Sequence, residues 1–107
     1  MEKRIIIEIG EKEVKAFRQS DNYRELLQKE KTSFDEILDQ SDLEDEIFKL
    51  SELIRKIKLR YCEYTIKAVI SDLAEMLSDQ QILDLRNGLL KYCNVKLYVV
   101  KKEPDNS

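Results

Sequence analysis

The sequence predicts a mainly α domain: an up-and-down bundle of three or four helices with one or two short terminal β-strands. Three observations carry this expectation. The first is the segment 41–60, SDLEDEIFKLSELIRKIKLR, where Leu43, Ile47, Leu50, Ile54, Ile57 and then Tyr61 recur at steps of three and four. Its acids come first and its bases last, matching a helix dipole. The second is the scarcity of breakers, with two Gly and one Pro in 107 residues. The third is a set of serines followed three residues later by Glu or Gln: Ser33–Glu36, Ser41–Glu44 and Ser78–Gln81. Each is a capping-box signature.

In chain order, RIIIEI at 4–9 reads as a short strand, because consecutive isoleucines favour extended backbone. Gly10 ends it. EVKAF at 13–17 alternates and permits a hairpin, but Val14 and Phe17 also suit a helix from about Glu11, and Tyr23, Leu26 and Leu27 extend that stripe. The expectation here is helix, with the hairpin as the alternative. Phe34, Ile37 and Leu38 supply a short apolar face after Ser33. The charge-graded helix follows, supported by the i, i+4 pairs Asp45–Lys49 and Glu52–Lys56.

Ile66, Val69, Ile70, Leu73 and Leu77 continue a helical stripe, so 42–77 reads as one long helix or two. A last helix starts at Ser78 and stops at Asn94. Within it, Gly88 costs about 1 kcal/mol relative to Ala on propensity alone. VKLYVV at 95–100 alternates and is β-branched, so it reads as a strand paired with RIIIEI or with a second subunit. Residues 1–101 form a single helical domain and 102–107 a polar tail.

Composition narrows the function. The net charge is −3, from 19 basic and 22 acidic residues, which gives no global pull toward nucleic acid. Histidine is absent, which removes His-based acid–base catalysis, the Ser-His-Asp and Cys-His arrangements and the commonest metal ligand. A two-carboxylate site needs a pocket that a small bundle seldom provides. The expectation is therefore no enzyme, no cofactor and no metal. Asp39, Ser41 and Asp45 hint at a calcium loop, but Glu44 stands where the loop needs Gly and Leu50 where it needs Glu. Cys62 and Cys93 read as reduced thiols of a cytosolic protein. No apolar run reaches the roughly 20 residues of a membrane span.

What remains is an interaction surface. Phe48, Leu53 and Leu59 fall off the main stripe of the 42–61 helix, beside Arg55, Lys56 and Arg60. Tyr64 adds an aromatic of the kind enriched in interfaces. These seven residues are the candidate site. The expected function is a small cytoplasmic, non-enzymatic interaction or regulatory protein: an adaptor, antagonist or immunity-type factor. Its partner is another protein or a second copy in a homodimer. The alternative is a nucleic-acid-associated regulator using the basic 55–60 cluster, with Lys101 and Lys102.

Overall fold

The computed structural model describes residues 3–100. Three strands come first: β1 (Arg4–Ile9), β2 (Glu13–Gln19) and β3 (Arg24–Lys31). A 3₁₀ turn (Phe34–Glu36) leads into helix α1 (Gln40–Arg60). Then come β4 (Thr65–Ile70), α2 (Asp72–Met76), α3 (Asp79–Cys93) and β5 (Leu97–Val99). The strands form one mixed sheet in the order β3-β2-β1-β4-β5. β1–β2 and β2–β3 are antiparallel, and β1–β4 and β4–β5 are parallel. This overturns the helical bundle.

The N-terminal third is a β-meander because its inward positions recur every second residue: Ile5, Ile7 and Ile9, then Val14 and Ala16. That period places them on one face of a strand. Gly10 donates its N–H to the Glu13 carbonyl at 2.8 Å, and a Cβ at Gly10 would sit 2.9 Å from that same oxygen, so the tight turn requires glycine. Asp21-Asn22 forms the second turn, closed by the Ser20 N–H to the Tyr23 carbonyl. A bulge at Ala16/Phe17 leaves Leu27 unpaired and packed on the core.

The second departure is β4. Ile66, Val69, Ile70 and Leu73 also fit a helix, yet four residues of TIKAVI are β-branched and Ile66, Ala68 and Ile70 share one sheet face. Helix α1 stops at Arg60, and β4 inserts between β1 and β5. The two terminal strands are thus in one sheet but are not neighbours, which corrects the expected pairing. The proposed tail at 102–107, with Lys101, lies outside the described residues.

The capping signals divide. Ser78 and Gln81 form a true capping box: the Gln81 N–H donates to Ser78 Oγ at 3.1 Å, and the Ser78 N–H donates to Gln81 Oε1 at 2.8 Å. Asn94 closes α3 in the left-handed conformation, φ 53°. At α1 the cap is Asp39, not Ser41; its carboxylate accepts from the Asp42 N–H. Ser33 makes no side-chain cap, and its N–H donates instead to the buried Glu46 carboxylate at 2.8 Å. Ser78→Ala should therefore cost about 1 kcal/mol in urea denaturation, whereas Ser41→Ala should be close to neutral.

All three helices bury their apolar residues in one cluster with Ile5, Ile7, Ala68, Ile70 and Leu97. Both long helices therefore lie on one side of the sheet. The molecule is correspondingly thin, 42 × 41 × 21 Å, as a sheet plus one helical layer requires. Among the described residues, no helix packs on the other side.

Candidate functional site

The alternation that fills the core also defines the bare face. Outward positions are Arg4, Ile6 and Glu8 on β1, and Glu13, Lys15, Phe17 and Gln19 on β2. They continue as Arg24, Leu26, Lys29 and Lys31 on β3, Thr65, Lys67 and Val69 on β4, and Tyr98 on β5. Six bases stand there against two acids, a net +4 on a chain whose total is −3. The rest of the molecule therefore carries −7.

The bases are organised around the acids and aromatics. Arg24 stacks its guanidinium 3.7 Å above the Phe17 ring and reaches across it to pair with Glu8. Glu13 sits between Lys15 at 3.1 Å and Lys29 at 3.2 Å. Hydrogen bonds from Lys15 and then Lys29 hold its carboxyl below the usual carboxylate range. Lys67 lies over the Tyr98 ring at 5.6 Å.

At the carboxyl ends of β1 and β4 the face opens into a crevice of about 350 Å³, lined by Glu8, Gly10, Glu13, Lys15, Ser71 and Asp72. Sheets with parallel strands bind ligands at this position, because strand ends and loops leave a gap there. Among the described residues, no group of three or more His, Cys, Asp or Glu is placed to hold a metal ion.

The structure separates the seven candidates from the sequence. Phe48 is on the helical side, edge-on to Tyr92 of α3 with centroids 5.6 Å apart. Leu53 and Lys56 line a groove of about 360 Å³ between α1 and the end of β3. Arg55, Arg60 and Leu59 are exposed, Leu59 at 82%. Lys58 turns away from this cluster and donates to the Cys93 carbonyl at 2.9 Å, capping the end of α3. Tyr64 lies elsewhere again: its hydroxyl accepts from Arg18, which also grips Glu25. Those two partners raise the Arg18 pKa, the Tyr64 hydrogen bond first.

Cys62 is exposed and Cys93 buried, both free thiols, and burial pushes the Cys93 thiol up. The bare-face bases are hidden in the sequence because EVKAF, RELLQKEK and TIKAVI also fit helical periods. Read at period two, Lys15 and Lys67 fall opposite the apolar positions.

Taken together, these observations define an α/β domain: a five-stranded mixed sheet with its helices on one side and a crevice at the ends of its parallel strands. No protein-family model matches this sequence, and no curated protein shows significant similarity to it. Solved structures do share its fold. The type II variant of the Ppx/GppA phosphatase of Aquifex aeolicus superposes with a TM-score of 0.70 at 14% identity, over 96% of this chain and 37% of that one. An exopolyphosphatase from Cytophaga hutchinsonii gives 0.68 at 13%, over 94% and 34%. The Thermus thermophilus RuvC protein, solved with a Holliday junction substrate, gives 0.51 at 9%, over 92% and 64%.

The chain thus spans about a third of the length of the phosphatases it matches. This overturns the expectation of no enzyme, which rested on a bundle without a pocket. The chain instead has the architecture of one part of known phosphatases and a crevice where such sheets bind ligands. Among the described residues, no helix is long and apolar enough to cross a membrane.

Proposed function

We propose that the chain is an interaction or regulatory domain whose working surface is the bare sheet face, and that its partner is an anionic macromolecule. One observation carries this reading: a net +4 at the outward strand positions of one face of a −3 protein. Gathering like charge on one side concentrates a field that steers an oppositely charged partner. A second copy docked face to face would set +4 against +4, so the partner of this face is a different molecule.

Cation-exchange chromatography at pH 7 tests the reading. The net charge alone predicts flow-through. The proposal expects retention at low salt, lost in the triple variant Lys29→Gln/Lys31→Gln/Lys67→Gln. Flow-through of the unaltered protein would refute it.

A second reading rests on the crevice, which meets the bare face at Glu8, Lys15 and Val69. Two of the fold neighbours are named as phosphatase and exopolyphosphatase. Phosphate handling at Glu8, Glu13 and Asp72 would use the face to guide a phosphate polyanion into the crevice. Phosphate release from polyphosphate, abolished by Glu8→Gln, supports this second reading; no release by the purified chain counts against it.

A further inference from the structure

We infer that the anionic partner of the bare face is single-stranded nucleic acid, an inference that rests on the basic-face reading above. The first ground is the distribution of charge. The six bases stand on four of the five strands: Arg4 on β1, Lys15 on β2, Arg24, Lys29 and Lys31 on β3, and Lys67 on β4. A phosphate backbone crossing the sheet meets a cation on each of them.

The second ground is a pair of flat π surfaces. Tyr98 presents its ring on β5, 42% exposed. The Arg24 guanidinium lies over Phe17 at 3.7 Å, and bases stack on guanidinium planes as well as on aromatic rings. The two platforms are three strand spacings apart along the sheet, about 14 Å. Such stacking tolerates any base, because every base has a π face. A duplex keeps its bases stacked inside and cannot use these platforms.

The third ground separates this partner from an acidic protein. Protein interfaces have a core depleted of charge, lysine included. Here the apolar row Leu26, Phe17 and Ile6 ends at Lys67, while Val69 and Tyr98 lie in the row that holds Lys15 and Glu8. Four of the six bases are lysines. The face has no continuous apolar centre for a protein to bury.

The test is fluorescence anisotropy with a labelled dT20 oligonucleotide, against duplex DNA, polyphosphate and a poly-glutamate peptide as competitors. Binding of dT20 should weaken with salt at a log–log slope of about −3, as four or five neutralised phosphates require on a single strand. Tyr98→Ala should weaken it about tenfold and Tyr98→Phe hardly at all. Tyr98 is an outward residue of an edge strand, and circular dichroism of both variants confirms an intact fold. Lys56→Glu/Arg60→Glu on the helical side should leave binding unchanged.

Equal or tighter binding of duplex, or loss of binding in the Lys56/Arg60 variant, overturns the inference. Capture of polyphosphate or poly-glutamate without dT20 also overturns it, while leaving the basic-face reading intact. Failure to bind any of the four overturns both.

Discussion

Gly88→Ala is expected to destabilise the domain, although alanine is the better helix former. Propensity alone favours the substitution by about 1 kcal/mol. The structure opposes it: a Cβ at Gly88 would collide with Cγ2 of Ile47, where α3 packs on α1. Ile47 is 4% exposed, and the clashing methyl is attached directly to its branched Cβ. It cannot swing away as the end of a flexible chain would. Forcing a methyl into a packed site costs about 1–3 kcal/mol.

The clash wins where it exceeds the propensity gain. Subtracting the gain of about 1 kcal/mol leaves an expected net loss of up to about 2 kcal/mol, at roughly 4–8 °C of melting temperature per kcal/mol for a domain this size. A double-mutant cycle isolates the cause. Ile47→Ala should cost less in the Gly88→Ala background than in the native chain, because it removes the clashing methyl. A raised melting temperature in Gly88→Ala would show that the helices spread at no cost.

Ile7→Ala should be worse, at about 2–5 kcal/mol, while Ile6→Ala next to it should cost about 1 kcal/mol or less. Ile7 lies in β1, the middle strand, and is 0% exposed. It pairs with Ala16 on one side and Ala68 on the other, beneath the helical layer. Truncating it opens a cavity that two alanine neighbours cannot fill. Ile6 points to the bare face and is only half-buried. Urea denaturation of the two variants measures the contrast. Equal losses at both positions would mean that the bare face is covered in the folded protein.

The neighbouring isoleucines also show where the sequence was legible. RIIIEI and VKLYVV were readable as strands because β-branched runs leave no good helical alternative. The stripe of α1 was readable because about five turns of evenly placed apolar residues have one interpretation. The capping box at Ser78 was readable because both of its bonds are local. EVKAF and TIKAVI were not, since Val14 and Phe17, or Ile66 and Val69, satisfy helical spacing while Val14 and Ala16, or Ile66, Ala68 and Ile70, satisfy strand alternation over the same few residues. Length arbitrates between the two periods, and six or seven residues do not provide it. The basic face depended on that choice, so it stayed hidden with the strands.

By itself, then, the sequence determined the local elements whose signals lie within a few residues: the terminal strands, the long amphipathic helix, the caps at Ser78 and Asn94. Tertiary structure decided the rest. Whether 13–19 and 65–70 are strands depends on β1 being there to pair with them, since a strand's backbone bonds are made to distant segments. The same is true of Gly88, a weakness in an isolated helix and a requirement where α3 meets Ile47. It is also true of the bare face, because bases 63 residues apart in the chain, Arg4 and Lys67, share a surface only once the sheet has formed.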